Sequence, residues 1–111
     1  MIIGIQGIQG SGKTTIARQL CDRNDYSFIS LDDFYHSNNY IEKLYYFTKN
    51  PDYKNRGNPG THDIKLLKKV LCDFLSKKKT YIPIYDKYAL NGKGDRVGWK
   101  ELKCSDVLII E

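Results

Sequence analysis

Residues 7–14 read Gly7-Ile8-Gln9-Gly10-Ser11-Gly12-Lys13-Thr14, the most informative stretch of the chain. It fits the phosphate-binding pattern G-x-x-x-x-G-K-[ST] at every fixed position, with an apolar run before it and a helix-like segment after it. Glycines allow backbone N–H groups to surround a polyphosphate, and the N-terminus of the following helix adds partial positive charge. A glycine-rich turn that binds nothing would not need Lys followed by Thr. The stretch therefore predicts a nucleoside triphosphate site.

Lys13 and Thr14 carry the two side chains of this loop that a bound triphosphate requires. The Lys13 ammonium can reach the β- and γ-phosphates, and the Thr14 hydroxyl is the expected Mg²⁺ ligand. The loop is thus expected to bind both a nucleotide and a metal ion.

Length and composition predict one soluble, cytoplasmic domain. The 111 residues allow one modest core, and 41% hydrophobic with 28% charged residues is ordinary for a globular chain. No apolar run is long enough to span a bilayer, and the apolar start runs directly into the phosphate loop, which cleavage of a signal peptide would destroy. Cys21, Cys72 and Cys104 are odd in number and lack C-x-x-C spacing, which favours reduced thiols.

The net charge of +5 is a weak indication of a nucleic-acid partner. Its densest basic run, Lys77-Lys78-Lys79, lies near the expected end of a helix, where cations favour the helix dipole. Attraction of small anionic metabolites explains the remaining charge equally well. His36 and His62 are too few for a metal cluster. The expected partner is a small-molecule substrate, with no nucleic acid and no membrane.

Hydrophobic spacing and turn residues predict an alternation of strands and helices. Strands are expected at residues 2–6, 26–31, 81–85 and 106–111, and helices from Lys13 to about Arg23, at 38–48, and from a cap at Thr61 or Asp63 to about Lys78. Loops are expected at 49–60 and 86–98, with one helical turn at 99–102. Pro83 indicates an edge strand. This alternation predicts an α/β, three-layer P-loop NTPase fold with a parallel sheet.

Ligands of parallel sheets bind beyond the carboxyl ends of the strands, and acidic residues are expected there. Glu111 ends the last apolar strand, where it either acts on Mg²⁺, directly or through water, or is simply a polar residue at which the strand reaches the surface. Asp32 and Asp33 follow the second strand. One of them is suited to accept a proton from an alcohol substrate, although Asp33 or both can instead cap the following turn.

Basic residues in the two glycine-rich loops are suited to binding an anion. Arg56, Lys87 and Arg96 lie there, and each one alone is also compatible with an ordinary surface charge.

The phosphate loop, a strand and then Asp32-Asp33-Phe34-Tyr35 resemble the uridine kinase, phosphoribulokinase and pantothenate kinase superfamily of P-loop small-molecule kinases. Within it, the chain is most similar to the D-glycerate 3-kinase family and its fungal ATP-binding relatives. Four stretches carry this resemblance and cover most of the chain in the right order: Ser30-Leu31-Asp32-Asp33-Phe34-Tyr35, Arg56-Gly57-Asn58-Pro59-Gly60-Thr61-His62-Asp63, Ile82-Pro83-Ile84-Tyr85-Asp86-Lys87 and Asn91-Gly92-Lys93-Gly94-Asp95-Arg96.

The resemblance implies ATP-dependent phosphorylation of a hydroxyl group on a small molecule, with Mg²⁺. It implies that Lys13 and Asp32 are catalytic, with Asp32 as the base, and that Glu111 joins Thr14 in the metal site. Residues 7–14 and Thr15 are implied to bind the nucleotide. The implied substrate contacts are Tyr35, His62, Asp63, Tyr85, Lys87 and Arg96.

The resemblance also predicts that residues 1–111 are the N-terminal portion of a P-loop kinase domain, truncated after the strand that ends at Glu111. Family members continue with further strands, a lid helix and an adenine pocket. One side of the sheet is therefore expected to be unpaired, and a complementing C-terminal half is an expected partner.

Three kinds of function are compatible with the sequence. The favoured one is a kinase acting on glycerate or a similar small hydroxy acid, with a uridine- or pantothenate-type kinase as a variant. The second is a truncated ATP-binding protein without catalysis, or one half of a split kinase. The third, a nucleic-acid-associated protein, rests on charge alone, because nothing resembles a recognition helix or an aromatic stacking platform.

Overall fold

A computed structural model of the chain describes residues 1–6, 12–54, 58 and 60–111. Among these residues lie three α-helices, five strands and two short 3₁₀ helices. The helices are α1 (Lys13–Asn24), α2 (Asn38–Thr48) and α3 (Ile64–Leu75), the strands are β1 (Ile2–Gly4), β2 (Ser27–Ile29), β3 (Thr80–Asp86), β4 (Asp95–Leu102) and β5 (Leu108–Ile110), and the 3₁₀ helices are Leu31–Phe34 and Pro51–Lys54.

The central element is a parallel sheet in the order β1-β5-β2. Ile109 of β5 pairs with Ile3 on one side and with Phe28 on the other. The ladder continues past the carboxyl ends of the strands, because Ile5 N–H donates to the Ile110 carbonyl (2.7 Å) and Leu31 N–H to the Glu111 carbonyl (2.9 Å). The last strand of the chain thus lies between the first two.

Alternate residues of the sheet point to opposite faces, and each face is covered. Ala17 and Cys21 of α1 pack against Val107 and Ile109 on one face. The larger cluster on the other face joins the sheet to α3 and to the β3–β4 pair; its buried members are Ile29, Phe34, Val70, Phe74, Ile82, Leu102 and Leu108. The predicted parallel α/β fold is confirmed.

Residues 95–102 were expected as the end of a loop and one helical turn, and that prediction is wrong. They form β4, which pairs antiparallel with β3 in a separate two-stranded sheet. The sequence of β4 is rich in charge, and it is held as a strand by its backbone pairing with β3, which precedes it across residues 87–94. Both strands of such a pair are edge strands, in agreement with the presence of Pro83 in β3.

The cap of α3 is Asp63, not Thr61. Its Oδ1 accepts the N–H of Leu66 (3.1 Å), whereas the Thr61 hydroxyl donates to the Asn58 carbonyl (2.7 Å). The helix ends at Leu75, before the expected Lys78, and Lys77 then adopts a left-handed backbone conformation with φ 58°.

In the described part of the chain β1 pairs with β5 alone, so one of its edges is unpaired. Ile3 of β1 is 38% exposed, and Ile16 and Leu20 of α1 are exposed as well. No helix in this part is both long and apolar enough to cross a membrane.

Phe34 connects the segment after β2 to the core, since its side chain is 1% exposed. We expect Phe34→Ala to lower the free energy of unfolding by about 3–5 kcal/mol, through lost burial and the cavity left behind. Phe47→Ala is the matched control, because Phe47 is 79% exposed and its truncation should change stability by less than about 0.5 kcal/mol. Urea unfolding measures both; similar losses for the two variants would contradict the packing described.

Candidate active site

The phosphate loop leads into α1 through Gly12. Residues 7–11 lie outside the described residues, as do the side chains of Lys13 and Thr14. Gly12 has φ 84°, a left-handed conformation that favours glycine, and its carbonyl accepts the N–H of Ile16 (3.1 Å) to start the helix. Thr15 is exposed in the first turn of α1. The predicted nucleotide-binding residues therefore stay predictions.

Asp32 and Asp33 lie in the 3₁₀ helix that follows β2, and the cap of this turn is neither of them. Ser30 Oγ accepts the N–H of Asp32 (3.3 Å). Asp33 binds the hairpin formed by β3 and β4, since its Oδ1 accepts the N–H of Tyr85 in β3 (3.4 Å). Asp32 is exposed and lies close enough to His62 to influence its charge. Of the two acids, Asp32 is the one whose carboxylate is available to a substrate.

Glu111 lies at the same edge of the sheet, directly after the central strand β5. Its N–H donates to the Ile29 carbonyl (3.1 Å), and its own carbonyl accepts from Leu31, the residue before Asp32. The Oε2 atom is buried. Within the described ranges there is no group of three or more His, Cys, Asp or Glu that could hold a metal ion. Mg²⁺ needs only one or two carboxylates when phosphates supply its other ligands, so Glu111 with a nucleotide fits this ion.

A short backbone bridge brings the predicted substrate residues Tyr35 and His62 together. His36 N–H donates to the Thr61 carbonyl (2.9 Å), and Asp63 N–H donates to the Phe34 carbonyl (2.7 Å). The rings of Tyr35 and His62 are stacked with centroids 4.2 Å apart.

Arg96 joins this bridge to β4 and to the start of α3. Its Nη2 donates to the Tyr35 carbonyl (3.2 Å) and to Asp63 Oδ2 (3.4 Å), and the two charged side chains are 18% and 19% exposed. His36 Nδ1 lies 3.7 Å from the same Asp63 oxygen. The guanidinium also lies over the ring of Trp99, 5.2 Å from its centroid. Arg96 and Asp63 thus contact protein groups here, and a direct substrate contact by either stays a prediction.

Tyr85 completes the group, since its ring centroid is 5.3 Å from that of Tyr35. The structure thus brings together five of the six predicted substrate residues, in contacts that run through Tyr35 and Asp63. The sixth, Lys87, is exposed in the turn that follows β3. Arg56, expected to bind an anion, lies outside the described residues.

A cavity of about 380 Å³ opens beside this group. It is rich in tyrosine, with Lys54, Lys93 and Glu42 as its charged residues; its lining consists of Tyr35, His36, Asn38, Ile41, Glu42, Tyr45, Tyr53, Lys54, Thr61, Tyr85, Lys93 and Gly94. The volume is in the range of small-molecule sites. Sequence analysis missed the contribution of α2, because its hydrophobic spacing predicts a helix but does not show which surface the helix faces.

Both histidines of the site are held toward their neutral form. Burial is the main cause that lowers the pKa of His36, against the opposing influence of Asp63, and the positive charge of Arg96 lowers it further. Burial also lowers the pKa of His62, with Asp32 opposing. His62 stacks on Tyr35 and His36 stacks on Tyr40, and we call the surface formed by these four rings the ring wall. Because both imidazoles are held toward their neutral form, the ring wall is aromatic and uncharged, and the charged pair Arg96–Asp63 lies next to it.

Comparison with known proteins shows which proteins this chain is similar to. A family model described as an AAA domain matches residues 2–83. The chain is 42% identical over 103 residues to an uncharacterized kinase, mug58, of Schizosaccharomyces pombe, and this match covers 86% of the chain and 37% of that protein. It is 34% identical over 114 residues to uridine-cytidine kinase C of Dictyostelium discoideum, covering 100% of the chain and 22% of that protein.

A solved structure, that of D-glycerate 3-kinase from Cryptococcus neoformans, superposes on the whole chain with a TM-score of 0.85 at 34% identity. The match covers 42% of that protein. The chain therefore spans less than half the length of each of these relatives.

The lowered pKa values of the two histidines predict that the fold loses stability in mild acid. As pH falls below about 6.5, the unfolded chain binds protons that the folded chain does not, so the free energy of unfolding decreases with falling pH. Above that pH the contribution is constant. Urea unfolding between about pH 7.5 and 5.5 measures the effect, to which each histidine contributes at most about 1.4 kcal/mol per pH unit.

A double variant, His36→Gln with His62→Gln, should flatten this dependence, because the chain contains two histidines in all. The assignment of neutral imidazoles would be contradicted if the free energy of unfolding of the unaltered chain stayed constant or rose between about pH 7.5 and 5.5.

Proposed function

We propose a function for this chain, which belongs to the AAA-domain family of P-loop proteins and is similar over its whole length to the N-terminal part of P-loop small-molecule kinases. The proposed function is ATP-dependent phosphorylation of a hydroxyl group on a small molecule, with Mg²⁺. A small hydroxy acid similar to glycerate is the favoured acceptor. Residues 1–111 are proposed to be the N-terminal portion of the kinase domain, acting in the cytoplasm.

The observation that carries this proposal is the meeting of three strand ends at one edge of the sheet. β1 leads toward the phosphate loop, β5 is followed by Glu111, and β2 leads into Asp32; backbone hydrogen bonds of 2.7 Å and 2.9 Å join these segments. A donor phosphate, a metal-binding carboxylate and a proton acceptor are the parts that phosphoryl transfer needs in one place. The tyrosine-lined cavity lies on the Tyr35 side of this edge.

In the proposed reaction the acceptor hydroxyl attacks the γ-phosphorus of ATP, the bond to the β-phosphate oxygen breaks, and ADP leaves. Asp32 accepts the proton of the hydroxyl. Lys13 neutralises charge on the β- and γ-phosphates, and Thr14 with Glu111 would hold Mg²⁺, which supplies further neutralisation.

Two observations bear on the acceptor. The charged residues Lys54 and Lys93 at the cavity are suited to a carboxylate, which supports an acid such as glycerate. The cavity is also aromatic, and one relative is named a uridine-cytidine kinase, which makes nucleosides the second candidate class.

The first test compares Lys13→Ala with the unaltered protein in phosphate transfer from ATP. Because the lysine charge is removed from the transferring group, we expect the rate to fall at least about 100-fold. The acceptors to be assayed are glycerate, uridine, pantothenate and ribulose 5-phosphate. The assay uses the full-length protein that the gene encodes. Lys68→Ala is the matched control, since Lys68 is exposed on α3. ATP binding without transfer to any acceptor would favour the non-catalytic nucleotide-binding alternative, and absence of ATP binding would eliminate that alternative as well.

The second test separates the two adjacent acids. Asp32→Asn should lower kcat by about 100-fold or more, because an amide cannot accept the substrate proton. Asp33→Asn keeps an oxygen that can accept the Tyr85 N–H and is expected to change kcat by less than about tenfold. Equal losses of kcat in the two variants would remove Asp32 from the role of base.

A further inference from the structure

We propose that Asp95 is a positioning residue that holds α2 against the start of β4 and thereby sets the width of the acceptor cavity. The use of this cavity by an acceptor rests on the proposed function, whereas the attachment of α2 by Asp95 rests on the geometry alone.

Helix α2 has little hydrophobic attachment to the rest of the molecule. None of its side chains is buried, and neither of the two apolar clusters among the described residues contains a residue of α2. Its Tyr46 and Phe47 are exposed. A helix without a buried stripe depends on a small number of polar contacts for its position, because packing supplies most of the stability of ordinary helices.

Asp95 provides such a contact at the amino end of the helix. Its Oδ1 accepts the N–H of Asn38, the first residue of α2, at 2.9 Å. The same oxygen accepts the N–H of Arg96 at 2.9 Å, which orients the carboxylate toward the helix. A negative charge at a helix N-terminus is favourable, and Asn38 N–H is one of the donors without a partner inside the helix. Ser37 is the local cap, through its bond to Tyr40 N–H (3.3 Å).

The other ionic contact between α2 and the hairpin is weaker. Lys93 Nζ lies 3.8 Å from Glu42 Oε1, and the two side chains are 66% and 59% exposed. Ion pairs of this exposure contribute little to stability. Asp95 is half-buried and makes hydrogen bonds at normal distance, so it is the stronger of these two links.

Asp95 and its neighbour Arg96 hold two nearby points of one segment. Arg96 donates to the carbonyl of Tyr35, and Asp95 accepts from Asn38, three positions later. This segment passes from the ring wall of the cavity to the wall that α2 forms. Gly94, which also lines the cavity, precedes Asp95 with φ 84° and directs the chain into β4. The start of β4 thus holds both walls in register.

Asp95 is therefore expected to affect binding of the acceptor and not the phosphoryl-transfer step. Asp32 is attached to the core through Phe34 and does not depend on α2, whereas the cavity wall does. Loss of the Asp95 contact should therefore let α2 move away from the hairpin, and an acceptor would have to restore that position at the expense of its affinity. KM should rise while kcat stays nearly constant.

The test uses Asp95→Ala and Asp95→Asn, with Glu101→Ala and Glu101→Gln as matched controls. Glu101 is an exposed acid on the same strand whose side chain lies 3.9 Å from Lys79. We expect Asp95→Ala to accelerate amide hydrogen exchange at Asn38 by about 10-fold and to raise the acceptor KM by a similar factor, with a smaller effect of Asp95→Asn, which keeps an acceptor oxygen. The Glu101 variants should change neither.

Three results would overturn the proposal, two from hydrogen exchange and one from kinetics. One is unchanged exchange at Asn38 in both Asp95 variants; a second is an equal increase across β5 and α3, which would assign Asp95 to overall stability. A fall in kcat with constant KM would equally remove the positioning role. If no acceptor is phosphorylated at all, the proposed function fails, yet the exchange measurement still decides whether Asp95 holds α2.

Discussion

The pairing of β5 with both β1 and β2 holds the parallel sheet together and positions the elements around it. Three residues near the end of the chain supply the central ladder, and the two ends of the chain meet there, since Leu108 N–H donates to the Met1 carbonyl (2.9 Å). Ile109 contributes to one buried face and Leu108 to the other. Without β5, α1 and α3 would have no common surface to cover. The same ladder brings Glu111 next to the segment that carries Asp32.

The β3–β4 hairpin also shapes the site, because Tyr85 of β3 and the residues just before β4 line the cavity. Asp33 accepts a backbone N–H of β3, while Arg96 and Asp95 of β4 bind the segment that runs from Tyr35 into α2. A buried charged pair is costly to desolvate unless its hydrogen bonds are satisfied. In the half-buried pair of Asp63 with Arg96, the carboxylate offsets part of that cost by accepting the Leu66 N–H and Arg96 Nη2.

Stability is distributed unevenly around the pocket. The wall that carries Tyr35 is connected through Phe34 to the larger apolar cluster, whereas α2 has no buried side chain. Elements with few buried contacts open at lower free energy than the core. The side of the cavity that α2 forms is therefore expected to open at a lower free energy than the Tyr35 side.

Local pattern by itself determined the helices, the three strands of the parallel sheet, β3 and the phosphate loop, because apolar spacing and a fixed glycine pattern are properties of contiguous residues. It also brought forward Tyr35, His62, Asp63, Tyr85 and Arg96, through resemblance of short stretches. Three features became visible in the folded chain alone: β4 is a strand, Asp33 is bound to β3 while Asp32 is exposed, and α2 forms a wall of the cavity. These depend on contacts between separate segments: β4 pairs with the preceding strand β3, and Asp33 accepts from Tyr85, which is 52 residues away. Such contacts leave no periodicity in either segment.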